Sequence, residues 1–504
     1  VDKEERPDID RHFQEIYEKM QNKRGGWPLS IFITPKRSPF HAASYIPPIA
    51  NYGMMGFADL LDVIARSYTQ DSETMQKKGE EVLEALKPKS NIEATRITEQ
   101  LINISVQQIK EVFEKEYGGF GDTPKFLHTA TLNLALKLYK LTKDKELKDI
   151  VTYTLDKMLL GGLYDHVDGG FCHSSRDKMW LVPHFEKMTY DNALMAKLLL
   201  KTYQESNIEL YKEAAFETIN FMLQKMSSDN LFFSTSSADT NGEEGEYFIY
   251  SYNEVKEAFE AEDLESNLLF ELSISKNGNF DGKSIVRLQD ISSKREPEIE
   301  KALRIMAKLR EKREYPCIDK KIVTSWNAMM IGALFEASKS EKSYLEVALK
   351  SLEALEKKMV DGVELYHTAP IEKSPKVKAV LEDYAWFIDT YLRAYNVTQD
   401  EHYLIKATNL TNEAIRKYYR DGKWLISDGE FKRFEVDVDN SYSSALALMV
   451  QNLLTLRSFS KSIYEKFAFQ TLQVHSYDLM RQAISRPTLA DAAIRYLKPE
   501  FDKI

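Results

Sequence analysis

From about residue 97 onward, helical periodicity dominates the chain. Most predicted helices come in pairs, joined by short polar hinges such as TKDKE, SKSEKS and NVTQDE. The links between pairs are longer and rich in glycine and aromatic residues, as in YGGFGDTPKF and GGLYDHVDGGFCHSSRDKMW. Short hinges at one end and elaborate loops at the other predict stacked helical hairpins with one functional face. Such hairpins form either a closed (α/α)6 toroid or an open solenoid, and the lack of a strict sequence period favours the toroid.

The first 88 residues have a different texture. An amphipathic helix in RPDIDRHFQEIYEKM is followed by GGWPLSIFITP, which is typical of a buried strand ended by Pro35, and then by a second helix in GFADLLDVIARSYTQ. The polar linker LKPKSN follows. We therefore predict two domains, a small α/β domain over residues 1–90 and a mainly α toroid over residues 95–504.

Composition excludes several classes of function. The net charge of −10 is spread along the chain without a basic block, so nucleic acid and anionic membranes are not expected partners. The sequence contains no apolar run of about 18 residues or more, so we expect no transmembrane helix. The only cysteines, Cys172 and Cys317, lack CxxC spacing, so we expect no disulfide framework and a reducing, cytoplasmic environment. No cofactor is predicted, and the oligomeric state stays open.

The stretch WLVPHFEKMTYDN concentrates chemistry at the predicted start of a helix over 184–204. Pro183 suits the first helical position, which would place His184 and Glu186 in the first turn and Asp191 on the same face two turns along. A histidine and carboxylates at a helix end can perform general acid–base work. The structural alternative is that Glu186 only complements the helix dipole while His184 bonds a loop.

Other loop-to-helix junctions repeat this composition. VLEDYAWF and TSWNAMM each begin a predicted helix with polar and aromatic residues, and the loop LYDHVDGGFCHSSRDKMW feeds the helix after Pro183. That loop contains Asp165, His166 and His173, which could in principle bind zinc, but their spacing matches no metal motif and no metal is predicted. A hairpin is expected within 231–250, around the acidic loop ADTNGEEGEY. Gathered at one end of a toroid, such residues have the composition of a sugar pocket.

The motifs VDKEERPDID, GGWPLSIFITP, WLVPHFEKMTYDN, TSWNAMMIGAL and LEDYAWFIDTYL together resemble the thioredoxin-domain, spermatogenesis-associated protein 20 (YyaL-like) family. The resemblance implies a thioredoxin-like domain, here lacking its upstream CxxC motif, followed by an (α/α)6 toroid similar to N-acylglucosamine 2-epimerases and six-hairpin glycosidases. It also implies a cis bond between Trp27 and Pro28. One departure is Asp319, which stands alone where the family pattern has two adjacent aspartates.

The leading hypothesis is a toroid that binds a carbohydrate and isomerises, epimerises or hydrolyses it by acid–base chemistry. The predicted catalytic residues are His184, Glu186, Asp191, Glu382 and Asp383. The predicted substrate-binding residues are Asp165, His166, Trp180, Tyr190, Asn192, Asp319, Trp326, Asn327 and Tyr384. The alternatives are a ligand- or peptide-binding quality-control protein without turnover, and a thiol–disulfide redox protein whose cysteines lie before residue 1.

Overall fold

The computed structural model describes residues 1–51, 53–86, 94–292, 296–362, 364–460 and 462–499. The chain divides into two compact units. The first comprises Val1–Glu93 together with Ile426–Arg433, and the second comprises Ala94–Leu425 and Phe434–Ile504. The segment Ile426–Arg433 is far from the first unit in sequence, and sequence analysis assigned it to the toroid.

The first unit is a small α/β arrangement. Its elements are α1 (Pro7–Gln21), β1 (Ser30–Ile33), β2 (Pro39–Ala43), α2 (Phe57–Gln70) and α3 (Ser72–Ala85). The two strands pair antiparallel. Strand β1 is only partly buried, in contrast to the buried strand predicted, because its sheet contains just one partner strand. The Trp27–Pro28 bond is cis, as predicted.

The second unit contains a closed ring of helices. In chain order its helices are α4 (Gln100–Val112), α5 (Thr129–Thr142), α6 (Lys145–Leu160), α7 (Thr189–Ser206), α8 (Glu209–Lys225), α9 (Tyr252–Glu260), α10 (Asn267–Glu271), α11 (Pro297–Arg310), α12 (Thr324–Ala337), α13 (Ser343–Met359), α14 (Leu381–Thr398), α15 (Glu401–Tyr418), α16 (Ala445–Ser460), α17 (Ser462–Val474), α18 (Ser476–Leu479) and α19 (Pro487–Leu497). Each of α5, α7, α12, α14, α16 and α19 packs on the next, and α19 returns to α5. The fold is the predicted (α/α)6 toroid.

The outer helices pack against this inner ring, with α6, α8, α13, α15 and α17 each following their inner partner and α4 packing on α19. Burial follows from this layering. Every residue of α12 is buried, because an inner helix has neighbours on all sides. The outer helix α15 instead buries a single stripe of Ala407, Thr411, Ala414 and Tyr418. Within the described residues, every helix is too short or too polar to cross a bilayer.

Short strands tie the loops together at one end of the ring. They are β3 (Lys125–Phe126), β4 (Ser174–Ser175), β5 (Pro183–His184), β6 (Lys187–Met188), β7 (Ser227–Ser228), β8 (Leu231–Phe232), β9 (Thr235–Ser236), β10 (Asp239–Thr240), β11 (Glu243–Glu244), β12 (Ile318–Asp319), β13 (Lys321–Val323), β14 (Val360–Asp361), β15 (Glu364–Pro370), β16 (Val377–Lys378), β17 (Tyr419–Arg420) and β18 (Lys423–Trp424).

The hairpin predicted within 231–250 is smaller than expected. Only β10 and β11 pair with each other in it, whereas β8 pairs with β7 and β9 pairs with β6 and β12. The aromatic residues of EYFIY instead pack inward. Phe248 stacks on Phe185, with ring centroids 5.4 Å apart, and Tyr250 belongs to the small apolar core around α9 and α11. Burial of Phe248 against Phe185, and of Tyr250 in the apolar core around α9 and α11, therefore takes the place of the predicted strand pairing.

Candidate functional site

The stretch that opens α7 is strand and loop before it is helix. Pro183 and His184 lie in β5, paired with β4, and Lys187 and Met188 lie in β6, paired with β9. Helix α7 begins at Thr189, so the prediction that His184 and Glu186 occupy its first turn is wrong. Pro183 is compatible with the first position of a helix, but the backbone of this stretch instead forms cross-strand hydrogen bonds with β4 and β9.

Two asparagines secure the starts of inner helices in the same way. Asn192 accepts a hydrogen bond from the backbone N–H of Phe171 (2.7 Å) and donates to the carbonyl oxygens of Phe171 and Met188. Asn327 repeats this arrangement with Phe232 and Val323. Both side chains are buried, so they hold a loop onto a helix end. Their amides are engaged by the backbone, which differs from the predicted substrate-binding role.

His184 lies between two carboxylates at the edge of the loop face. Its Nδ1 is 3.2 Å from Glu244 Oε1, and its Nε2 is 3.5 Å from Glu186 Oε2. Glu186 also accepts a hydrogen bond from Thr235. The hydrogen bond with Glu186 raises the pKa of His184 above its ordinary value, against the effect of burial, and Glu244 adds to it. For Glu186, burial opposes ionisation, but His184 outweighs it and lowers the pKa of the carboxyl.

A second imidazole is backed by a buried carboxylate. His173 Nδ1 lies 2.8 Å from Asp191 Oδ2. Burial raises the pKa of Asp191 to about 6, although His173 opposes this shift. Burial disfavours the charged imidazole of His173, yet Asp191 and Glu186 together raise its pKa. Asp191 is buried and His173 is partly exposed, so the imidazole is the member of the pair that can meet a ligand.

Aromatic side chains connect this pair with the start of α14. The Tyr190 hydroxyl is 3.4 Å from His173 Nδ1, and its ring meets Trp326 and Tyr442 edge-on, with centroids 4.8 and 5.0 Å away. Tyr442 in turn donates a hydrogen bond to Glu382 (3.2 Å). We call the connected set His173, His184, Glu186, Tyr190, Asp191, Trp326, Glu382 and Tyr442 the mouth cluster. It lies at the amino-terminal ends of α7, α12, α14 and α16.

Glu382 and Asp383 are adjacent in sequence but have different surroundings. Glu382 accepts a hydrogen bond from Ser325 (2.8 Å), and burial raises the pKa of its carboxyl to about 7 despite the nearby His367. Asp383 is fully buried, bonded to His367 Nδ1 (2.8 Å) and to the backbone N–H of Val380 (2.9 Å). Asp383 therefore supports the helix start, and Glu382 is the carboxyl that remains partly exposed.

Within the described residues, one group has the donor atoms to hold a metal ion. Ligand atoms of His367, Glu382 and Asp383 lie within 4.8 Å of one another. The hydrogen bonds with Ser325, Tyr442 and Val380 already occupy oxygens of both carboxylates. These contacts account for the group without requiring an ion.

Two residues predicted to bind substrate belong to a buried polar network instead. Asp165 pairs with Arg310 and Lys187, both at 2.8 Å, and all three are buried. Burial opposes the charge of Asp165, but the two cations hold the pKa of that carboxyl well below its usual range. His166 is buried, with Nε2 3.1 Å from the carbonyl oxygen of Gly161. Asp165 and His166 are therefore directed into the core, whereas His173 of the same loop is partly exposed.

Three further predicted binding residues lie outside the mouth cluster. Trp180 is fully buried and donates a hydrogen bond to the carbonyl oxygen of Tyr117. Tyr384 is also fully buried and accepts a hydrogen bond from Lys417 (3.1 Å). Asp319 is exposed and paired with Lys321 at 3.2 Å. Each of these side chains is therefore occupied by a structural contact.

Sequence reasoning missed parts of the mouth cluster. His173 was considered only as a possible zinc ligand, and Tyr442 and His367 were not proposed as site residues. A signal for His173 existed, because it lies in the same Gly-rich aromatic loop as His166. A signal for Tyr442 also existed, because it lies in DNSYSSALALM, another junction where polar residues precede an apolar helix. None existed for His367, whose contact with Asp383 depends on how the inner ring closes.

Comparisons with known proteins agree with this architecture. Residues 1–87 match the model of the Thioredox_DsbH family, described as a protein of unknown function, DUF255. The chain is 27% identical to human spermatogenesis-associated protein 20 over 524 residues, which cover 91% of this chain and 66% of the human protein. These matches confirm the family resemblance. An uncharacterised Caenorhabditis elegans protein is also 27% identical, over 98% of this chain and 75% of its own length.

A solved structure shares the fold of the larger unit. A D-mannose isomerase superposes with a TM-score of 0.51 at 10% identity, covering 80% of this chain and 98% of the isomerase. At this identity the likeness concerns the fold alone.

The first unit is thioredoxin-like, as its family match indicates. Of the two cysteines, Cys172 is buried and its pKa is raised to about 12, so this thiol does not ionise at neutral pH.

Proposed function

We propose that the toroid binds a reducing sugar at the mouth cluster and transfers protons on it, as an isomerase or epimerase does. One observation carries this proposal. The His173–Asp191 pair and the protonatable Glu382 are joined through the aromatic wall of Tyr190 and Tyr442. A base, an acid and aromatic faces are the groups that a sugar pocket requires.

The proton-transfer roles of His173 and Glu382 follow from their different surroundings. His173, oriented by Asp191, removes the proton from the carbon next to the sugar carbonyl, and the C–H electron pair becomes the new carbon–carbon double bond. Glu382, with a pKa of about 7, gives its proton to the carbonyl oxygen. His173 then gives its proton to the other face of the same carbon, or to the former carbonyl carbon, while Glu382 takes a proton from the hydroxyl oxygen that becomes the carbonyl. These transfers complete epimerisation or isomerisation and restore His173 and Glu382.

The aromatic residues would orient the sugar. The rings of Tyr190, Trp326 and Tyr442 meet edge-on, and Trp326 itself is buried behind Tyr190. The C–H faces of a monosaccharide pack on such rings while its hydroxyls bond carboxylates. His184 and Glu186, at the loop edge and more exposed, would contact the outer end of the ligand.

Solvent exchange tests the proposal directly. Wild-type protein is incubated in D2O with mannose, glucose and N-acetylglucosamine, and deuterium incorporation next to the carbonyl is followed by NMR. Mannose comes first because the solved structure that shares the fold is a D-mannose isomerase. We expect exchange in the wild type and its loss in His173→Ala, with His402→Ala as a matched control because His402 is an exposed histidine of α15. Exchange that survives in His173→Ala would exclude this role for His173.

Binding separates the main alternative from catalysis. If sugars bind without any exchange, the toroid captures a ligand without turnover and the proton-transfer proposal fails. If no sugar in the panel binds or exchanges, the carbohydrate assignment fails as a whole.

A further inference from the structure

Inner-ring helices line a cavity of about 210 Å³. Residues of α5, α7, α14, α16 and α19 line it. We call this space the lumen. Its volume is below the roughly 300 Å³ at which pockets for drug-sized ligands begin, so it suits part of a small metabolite.

The lumen walls carry more positive than negative charge. The lining cations are Lys137, Lys197, Lys201, Arg393 and Arg495. The lining carboxylates are Asp389 and Asp491, and Glu336 acts on the lysines from just outside the wall. Glu336 is itself paired with Lys339 (2.9 Å). The lining side chains alone, five cations and two carboxylates, leave the wall positive, and buried charge without a partner is costly.

Two lysines of the wall have no carboxylate within hydrogen-bond distance in the described residues. Arg393 is held by both oxygens of Asp389, at 2.7 and 3.1 Å, and Lys137 is 2.7 Å from Asp491. Lys197 lies 4.0 Å from Asp389, beyond hydrogen-bond distance. Lys201 donates to the neutral amide of Asn133 (2.8 Å).

Burial and neighbouring cations weaken the charge on these two lysines. The pKa of Lys197 is lowered to about 7, first by burial and then by the charge of Arg393. The pKa of Lys201 is also well below its ordinary value, by burial and by the charge of Lys197. An anion bound in the lumen would raise the pKa of both lysines and so favour their charged forms.

Two buried polar atoms of the wall lack a hydrogen-bond partner in the described part of the chain. They are the indole N–H of Trp386 and Oδ1 of Asp491. Buried polar atoms are normally satisfied, so such orphans indicate a place where another molecule supplies the partner. The Trp386 N–H can donate to an anionic or hydroxyl oxygen, and Asp491 can accept from a hydroxyl.

Two of the inner helices that carry the mouth cluster also line the lumen. Trp386 lies one turn beyond Glu382 on α14, and Leu194 lies one turn beyond Tyr190 on α7, and both line the cavity. From Tyr190 to Lys197 the helix rises about 10 Å for seven residues, and side chains on a helix lean back toward its N-terminus. A monosaccharide at the mouth could therefore extend a charged substituent toward Lys197, and Lys201 lies one turn further along the same face.

We propose that the lumen binds the anionic group of a phosphorylated monosaccharide whose sugar ring lies in the mouth cluster. The carriers are Lys197 and Lys201, neither of which has a carboxylate within hydrogen-bond distance in the described part of the chain, supported by Trp386. This inference rests on the proposed function and names its substrate class. A phosphate dianion complements two ammonium groups, and charge-assisted bonds of this type are the strong kind.

Calorimetric titration tests the inference. The ligands are mannose, mannose 6-phosphate and inorganic phosphate, each titrated into wild type and into Lys197→Met/Lys201→Met. We expect mannose 6-phosphate to bind the wild type more tightly than mannose, and the double variant to lose about tenfold or more of that affinity. Affinity for mannose should not change. The control is Lys350→Met, an exposed lysine of α13. Methionine is apolar and similar in length, and circular dichroism verifies that the double variant is folded.

The outcomes separate the two proposals. If mannose binds but the phosphate group adds nothing and the double variant behaves as wild type, the lumen inference is overturned and the proposed function stands. If inorganic phosphate binds in a lysine-dependent manner while no sugar does, the lumen is an anion site and the carbohydrate proposal is overturned. If none of the three ligands binds, both are overturned.

Discussion

Asp191 lies behind His173, with its Oδ2 2.8 Å from the imidazole Nδ1. The carboxylate is buried, whereas His173 is partly exposed, so any ligand experiences the acid only through the imidazole. Sequence spacing had paired Asp191 with His184 on one helix face. The actual partner comes from the preceding loop, and Asp191 is therefore a positioning residue.

Replacing Asp191 should change the titration of His173. In Asp191→Asn the carboxylate that raises the pKa of His173 is lost while burial remains, so the imidazole pKa should fall below its wild-type value. NMR titration of the histidine ring protons measures this. A His173 pKa that stays above its ordinary value in the variant would contradict the assignment. Exchange activity should fall with it, because orientation of the base is lost.

Glu382 should give the activity an alkaline limit. Its carboxyl has a pKa of about 7, so the protonated form that donates to a carbonyl oxygen disappears as pH rises through that value. The wild-type exchange rate should therefore fall above about pH 7, and Glu382→Gln, which cannot give up a proton, should lose about 10²- to 10⁴-fold. Rates measured between pH 5 and 9 check this. A rate that is flat across pH 7 would exclude Glu382 as the acid.

Lys197→Met should stabilise the protein in the absence of ligand. The pKa of Lys197 is about 7 in the folded state, below about 10.4 in the unfolded chain, so folding is penalised wherever the ammonium is charged. The gain in melting temperature should be largest below pH 7 and should shrink as pH rises toward 10. Melting curves of wild type and variant at pH 6 and pH 9.5 test this. Equal gains at both values would show that deprotonation of Lys197 is not involved.

The Asp165–Arg310 pair should be essential for stability. Arg310→Met leaves the carboxylate of Asp165 buried with Lys187 as its remaining cation, and breaking such a pair typically costs about 3–5 kcal/mol. Arg304→Met is the matched control, because Arg304 lies on the same helix with a side chain 70% exposed, and should change the free energy of unfolding by less than about 0.5 kcal/mol. Urea unfolding at pH 7 measures both. Similar values for the two variants would refute the prediction.

The same pair also predicts acid sensitivity. Arg310 and Lys187 hold the pKa of Asp165 well below its usual range, so the stability they confer is present above the unfolded pKa of about 3.9 and is lost as pH falls below it. The stability difference between wild type and Arg310→Met should therefore narrow in acid. A difference that stays constant between pH 7 and pH 3 would show that the charge of Asp165 is not responsible.

Local patterns predicted the helices well but misjudged helix starts. The hydrophobic stripe of α15 is visible in the sequence because it repeats every three to four residues. The start of α7 was placed five residues too early, at His184 instead of Thr189. Pro183 and the acidic residue after it are good helix-start signals. They were overridden by strand pairing of His184 with Ser174 in the preceding loop and of Lys187 with Ser236 in the loop after α8.

The sequence predicted the types of residue in the candidate site better than it predicted which individual residues belong to the site. Tyr190, Trp326 and Glu382 were named from the sequence, and all belong to the mouth cluster. Asp165 and Trp180 were named on the same grounds of composition, yet both are buried in structural contacts. Composition identifies a loop as polar and aromatic, but it does not state which side of the loop faces the core.

By itself the sequence determined the hairpin architecture, the separate α/β unit and the concentration of polar and aromatic residues at helix starts, because hydrophobic periodicity and turn chemistry act over short stretches of chain. Only the tertiary structure decided which of those residues form the mouth cluster, which pair in the core as Asp165 does with Arg310, and that the α7 face carrying Lys197 and Lys201 lines the lumen. The physical reason is that ring closure brings together residues more than a hundred positions apart, where burial and charge pairing depend on neighbours that no local pattern specifies.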